Sequence, residues 1–238
     1  LERWPAAMPT RIAVLMKDRP DGTKKIRFIM DALRSGVNGV ATAEERIVLP
    51  RGCDLVESVL DLWEENWQRA DHEDFGVEIM IADFVDAFLT LGLVEEERGY
   101  VVVTDNREWF AYRSVPFGVG TAPLLWGRVA AFLSRFGQSI FLPGEGRIQT
   151  YVDDPGVGLA GLKSERTRAA SLLLLFWVMI GADIAWPKAR ITTKQQWIGA
   201  AYAIEFNTVH VETDASRIES LESEDAHFRS PGCQGFSF

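Results

Sequence analysis

The sequence predicts an α+β fold in which an antiparallel sheet is backed by helices. Two observations predict it. Strand-like alternations come in pairs joined by turn signals, as at Asp21-Gly22, Asp105-Asn106 and Pro155-Gly156. Between these hairpins, apolar residues recur at helical spacing from Asp54, Thr121 and Ser164 onward.

With 238 residues the chain can bury a sizeable core in one or two domains. Its 47% apolar and 25% charged content is that of an ordinary globular protein. A formal net charge of −9 argues against a nucleic-acid binder, although the first 51 residues are net basic. Cys53 and Cys233 lie far apart without metal-ligand spacing, which predicts a reducing compartment and no disulfide framework. No secretory signal opens the chain, and its start at Leu1 reads as that of a fragment. The longest apolar run, Leu172 to Ile180, is too short to cross a bilayer and reads as a buried helix.

Taken in order, Arg11 to Met16 reads as a strand and Lys24 to Asp31 as its partner, with Ile26, Phe28 and Met30 on one face. The hairpin has a basic tip and flank in Lys17, Arg19, Lys24, Lys25 and Arg27. Such a group is either a solvated loop or a phosphate clamp. From Asp54, a plausible N-cap, Leu55, Val56, Val59, Leu60 and Trp63 mark a helix. Val77, Ile79 and Ile81 alternate with Glu78 and Met80 in a strand that ends at Asp83. A carboxylate there is either a helix N-cap or a group placed where substrates bind. Val101 to Thr104 and Trp109 to Val115 make a second hairpin.

The loop Pro116 to Pro123 then opens a helix with Thr121 at its N-cap, a core face of Leu125, Val129, Phe132, Leu133 and Phe136, and Gly137 at its end. A Gly-containing loop before a helix is a connector or a phosphate or base site. Ile148 to Val152, Pro155-Gly156 and Val157 to Ala160 form a third hairpin with Asp153 and Asp154 at its tip. Ser164 caps a helix whose buried half is Leu172 to Met179 and which Gly181 closes. Lys188 follows in a loop, and Gln196 to Ile204 with Val209 to Val211 make a last hairpin. Beyond Thr213 the chain turns polar and is expected to be poorly ordered.

Two adjacent aspartates form an acidic turn or, with a third carboxylate, a seat for a cation. Asp83 and Asp153 both sit at strand ends, so one sheet edge can bring them together. Hard carboxylate oxygens suit Mg²⁺, and two such ions can activate a hydroxyl and steady a leaving pyrophosphate.

In order and content these elements resemble reverse transcriptases of retrotransposons and retroviruses, from roughly Arg11 to Val211. Asp83 to Phe88 is similar to the first catalytic motif of that family, and Ser114 to Pro123 to the second. Tyr151-Val152-Asp153-Asp154 is similar to the third. Ile180-Gly181 with Lys188, and Trp197-Ile198-Gly199, resemble two later motifs, and Lys25 to Asp31 with Asn38 resembles the fingers segment.

The resemblance implies a right-hand palm, an antiparallel sheet backed by helices, with a fingers subdomain. It divides the chain into fingers (1–76), palm with the first aspartate (77–94), a junction with the nucleotide-site helix (95–137), palm (138–211) and tail (212–238). It implies an RNA-directed DNA polymerase acting in the cytoplasm, nucleus or a retroelement particle. The partners would be dNTPs and an RNA or DNA primer–template, with no membrane. Asp83, Asp153 and Asp154 would be the catalytic residues and the ligands of two Mg²⁺ ions, with Mn²⁺ as a substitute. Phe88 would exclude a 2′-hydroxyl, and Arg27 and Lys17 would grip the triphosphate. Phe117 and Gly118 would border the nucleotide, Tyr151 would pack near the primer terminus and Lys188 would protonate the leaving pyrophosphate.

Pro155 departs from the bulky apolar residue more common at that position. Proline removes a ladder donor, so a shortened or twisted hairpin is expected. Two rival readings share these residues: an inactive remnant that still holds nucleic acid, and a metal-dependent phosphohydrolase.

Overall fold

A computed structural model describes residues 9–18, 22–41, 43–105 and 108–213. Arg19, Asp21, Asn106, Cys233 and the tail from 214 onward lie outside the described residues. In chain order the elements are β1 (Ile12–Asp18), β2 (Lys24–Met30), α1 (Val37–Val40), α2 (Gly52–Glu65), β3 (Phe75–Ile81), β4 (Val102–Asp105), β5 (Glu108–Ala111) and α3 (Ala122–Gln138). There follow β6 (Gly146–Tyr151), β7 (Asp154–Leu162), α4 (Lys163–Met179), β8 (Arg190–Thr192), β9 (Lys194–Trp197), β10 (Ala200–Glu205) and β11 (Thr208–Thr213). The chain divides into two compact units, residues 1–49 with 84–136 and residues 50–83 with 137–238.

In the first unit, β1 and β2 pair antiparallel from Ile12 opposite Met30 to Asp18 opposite Lys24. The expected Ile26–Phe28–Met30 face is buried only at Met30; Ile26 and Phe28 are exposed. Met30 joins Ala32, Val37, Val101 and Val103 in a small core. The β4–β5 hairpin forms over 102–105 and 108–111, but Asp105 pairs with Glu108 instead of turning, and β5 ends at Ala111, short of the expected Val115.

Helix α3 starts immediately after Thr121, but of the apolar face expected for it only Leu133 is fully buried. Ala122, Trp126, Ala130 and Leu133 are buried, whereas Leu125, Phe132 and Phe136 are exposed. Two apolar stripes compete on this helix, and the one that packs inward mixes alanines with Trp126 and Leu133. Trp126 takes Phe84 edge-on at 5.7 Å.

In the second unit a four-stranded antiparallel sheet has the order β6-β7-β3-β8. Side chains alternate across a strand, so β3 feeds two cores. Val77, Ile79 and Ile81 join Leu55, Val59 and Leu62 of α2. Glu78 faces the other way and accepts from Arg166 Nε of α4 at 2.7 Å. Arg166 is buried and also donates to the carbonyls of Asp74, Gly76 and Gly161, so one guanidinium ties α4 to the ends of β3 and β7. Burying Leu62 or Ile79, both 0% exposed, stabilises the unit by about 2–3 kcal/mol per side chain.

Three local expectations are corrected. Helix α2 begins two residues before Asp54, at Gly52, with Arg51 at the N-cap. Asp54 acts from the third helical position, accepting Arg51 N–H at 2.5 Å, and this bond holds its carboxyl below the ordinary range. Ser164 does not cap α4; Leu162 stands at the cap, and Glu165 accepts its N–H at 2.8 Å. The Leu-rich half of α4 is not buried all round: Leu173 and Trp177 are buried, but Leu172, Leu175 and Met179 are exposed. Gly181 closes α4 with φ 82°, as its position predicts.

The run from Gln196 to Ile204 is not one strand. A two-residue turn at Ile198-Gly199, φ 41° and 83°, splits it into β9 and β10, and β11 completes a three-stranded sheet.

Candidate active site

The hairpin of β6 and β7 pairs Tyr151 with Asp154, so its turn is Val152-Asp153. The two aspartates therefore do not share the tip: Asp153 is in the turn and Asp154 is the first residue of β7. Val152 has φ 54°, a left-handed conformation that a β-branched side chain adopts at a cost of about 1–2 kcal/mol.

Pro155 neither shortens nor breaks this hairpin. It sits opposite Thr150, one step from the closing pair, and β7 runs nine residues to Leu162. In an antiparallel ladder that next pair is not hydrogen-bonded, so no bond to β6 is lost. The carbonyl of Pro155 accepts from Ala82 N at 3.1 Å.

That bond brings Asp83 into place. β3 pairs with β7 as far as Ile81 opposite Gly156, and Ala82 continues the register opposite Pro155. The next position on each strand is Asp83 and Asp154. The loop leading to Lys188 is tied to the same point, because Ala185 N–H donates to the Asp83 carbonyl at 2.9 Å. Lys188, on the single turn Trp186–Lys188, places Nζ 2.7 Å from Asp83 Oδ2.

Burial, then the charges of Asp83 and Asp153, push the Asp154 carboxyl up to about 7; Lys188 acts in the opposite direction. Among the described residues no group of three His, Cys, Asp or Glu side chains is gathered to hold a metal ion. The donor chemistry nevertheless suits Mg²⁺, which needs only one or two protein carboxylates and completes its shell with water and substrate oxygens.

Trp197, which the sequence marks only as part of a later motif, is joined to this turn. Its indole Nε1–H donates to the Asp154 carbonyl at 2.9 Å. Tyr151, Asp154 and the Gln196–Ala201 segment line a cavity of about 900 Å³ together with Glu212 and Thr213.

Of the residues expected to meet a nucleotide, Phe88, Arg27, Lys17, Phe117 and Gly118 belong to the first unit and Lys188 to the second. Phe88 and Phe117 meet edge-on at 5.5 Å, and the Arg27 guanidinium lies 5.8 Å from the Phe117 ring centre. Met30 N–H donates to the Phe117 carbonyl at 2.8 Å. Gly118 has φ 105°, and a β-carbon there would overlap the Met30 carbonyl oxygen, so only glycine fits. Asn38 holds the same loop through both ends of its amide: Nδ2 donates to Gly118 O at 3.1 Å, and Oδ1 accepts from Gly120 N at 2.8 Å. Sequence reasoning marked Asn38 without giving it this task; an amide bridging 80 residues has no local signal. Lys17 lies on β1 opposite Lys25.

No protein-family profile matches the chain, and no curated protein sequence matches it. Its fold is similar to that of solved reverse transcriptases. A foamy viral protease–reverse transcriptase in complex with an RNA/DNA hybrid superposes with a TM-score of 0.57 at 14% identity, over 89% of this chain and 24% of that one. A foamy viral protease–reverse transcriptase in complex with double-stranded DNA gives 0.58 at 13% identity, over 89% and 38%. The native prototype foamy virus enzyme gives 0.54 at 16% identity, over 95% and 28%. The likeness is one of fold, and the chain spans between 24% and 38% of these proteins. Among the described residues no helix is long and apolar enough to cross a membrane.

Proposed function

We propose that the chain forms the fingers and palm of an RNA-directed DNA polymerase of a retrotransposon. The reaction is attack of a primer 3′-hydroxyl on the α-phosphate of a dNTP, directed by a template strand. One observation carries the reading: on a reverse-transcriptase-like fold, Asp154 is raised to about 7 by its burial and, after that, by the charges of Asp83 and Asp153 from two adjoining strand ends. A perturbed acid with other carboxylates near it at a strand end is a mark of functional sites.

Asp83 and Asp153, with Asp154 beside them, are the residues that would hold Mg²⁺. Bound there, the ions supply positive charge that acidifies the attacking hydroxyl and stabilises the departing pyrophosphate. Lys188 donates a proton to that pyrophosphate when its ammonium leaves Asp83. Phe88 packs under the sugar and rejects a 2′-hydroxyl by bulk. Arg27, with Lys17, binds the triphosphate by charge, and Phe117 and Gly118 border the base. The nucleic-acid partners named for the foamy viral enzymes support a primer–template for this chain.

A second reading, a remnant that holds primer–template without extending it, draws on the ammonium already seated on Asp83. Primer extension with labelled dNTPs and Mg²⁺ on an RNA template separates the two. Template-directed incorporation that falls by about 10³-fold in Asp153→Asn is expected. Binding without incorporation favours the remnant, and phosphate release without template overturns both. Phe88→Ala is expected to admit ribonucleotides, and unchanged sugar discrimination removes Phe88 from its role.

A further inference from the structure

The indole of Trp197 joins two turns, with its partner Asp154 43 residues away in sequence. It closes the β9–β10 hairpin, paired with Ala200 across Ile198-Gly199. It is 1% exposed, and its one polar atom is spent on the carbonyl of Asp154. Its ring lies against Gly156, where a β-carbon would come within 3.0 Å of indole carbon. The indole thus touches β7 at two points two residues apart, the backbone carbonyl of Asp154 and the side-chain position of Gly156. Tyr202 backs the ring at a centroid distance of 6.5 Å.

A buried donor restrains its partner, since removing it strips a hydrogen bond from a carbonyl that water does not readily reach. Here the partner is the first residue after a turn whose Val152 is held at φ 54°. Such a conformation persists only when its surroundings over-determine it. Pro155 contributes no N–H of its own at this point, which leaves more of the restraint to the indole.

We propose that Trp197 is a positioning residue for the Asp153-Asp154 turn. Through its N–H on Asp154 O and its ring on Gly156 it sets the height of both carboxylates above the sheet edge. It also couples that height to the β9–β10 turn across the cavity they share. The link to catalysis rests on the polymerase reading; the link to the geometry of the turn does not.

Two variants and two readouts test this on the whole chain. Trp197→Phe keeps an aromatic ring and removes the donor. Gly156→Ala keeps the donor and pushes a methyl group into the indole. In each, amide exchange at Asp153, Asp154 and Gly156 is expected to speed up about tenfold, while exchange at 158–162 of β7 and 200–205 of β10 stays as in the parent. Mn²⁺ affinity, read by the paramagnetic resonance of the free ion, is expected to fall by a similar factor. Unchanged exchange at the turn overturns the proposal. So does uniform acceleration through β7 and β10, the mark of a merely structural residue. A parent chain that takes up no Mn²⁺ defeats the metal reading alone, because the exchange pattern still decides whether Trp197 positions the turn.

Discussion

The sheet of the second unit is covered on both faces, whereas the β1–β2 hairpin of the first unit is open on both through most of its length. Ile79, Met80, Val157 and Leu159 are fully buried, while Val14, Leu15, Met16, Ile26 and Phe28 are each more than half exposed. A lone two-stranded ribbon is marginally stable in water. The carboxylates therefore stand on the part of the molecule that cannot deform cheaply, and the basic side chains on a part that can.

The largest effect that sharpens this contrast is a pair of truncations. Leu62→Ala, in a 0% exposed position, is expected to cost about 2–5 kcal/mol of unfolding free energy in urea. Phe28→Ala, 55% exposed, is expected to change it by less than about 0.5 kcal/mol. Similar costs at both sites would erase the distinction. Next comes Arg166→Met, which strips Glu78 and three carbonyls of a buried donor. A loss of about 3 kcal/mol is expected, with the four-stranded sheet opening first by hydrogen exchange.

A smaller effect follows pH. The Asp154 carboxyl is raised to about 7 in the folded chain, against about 3.9 for an unfolded aspartate. The folded state thus holds its proton more tightly. Its contribution to stability is complete below about pH 4 and is lost as pH rises through 7. After discounting for partial exposure, the loss is about 1–2 kcal/mol. Asp154→Asn should abolish this slope, and a slope that survives in the variant assigns it to another group. Smallest of all, Lys188→Met breaks an ion pair in which the lysine is 57% exposed, so stability should change by less than about 1 kcal/mol.

What the sequence disclosed, and what it did not, follows from range. The strand before Asp83 and the hairpin around 151–154 rest on local alternation, and both form, although β3 ends at Ile81 and the turn is Val152-Asp153, not the Pro155-Gly156 pair, which lies within β7. The faces of α3 and α4 were read in part: Leu133, Leu173 and Trp177 are buried as expected, but the alanines beside them were passed over. Ala122, Ala130, Ala169 and Ala170 line the buried sides, where small residues let a helix approach its neighbours, while Phe132, Phe136, Leu175 and Met179 stay outside. Helical spacing identifies an apolar stripe but does not choose between two. The candidate site was readable at its aspartates, since adjacent carboxylates after a strand are unusual chemistry. It was unreadable at Trp197 and Asn38, whose partners lie 43 and 80 residues away. Pro155 was read too severely, because which side of a strand misses a donor depends on the register of the turn before it.

The shared electrostatics of Asp83, Asp153 and Asp154 is the claim on which the rest depends. Carbon-detected magnetic resonance of the Asp154 carboxyl, titrated in the parent chain and in Asp83→Asn, measures it directly. A midpoint near 7 that moves down toward the ordinary carboxylate range in the variant is expected. A midpoint near 4 in the parent, or one indifferent to Asp83, would contradict it.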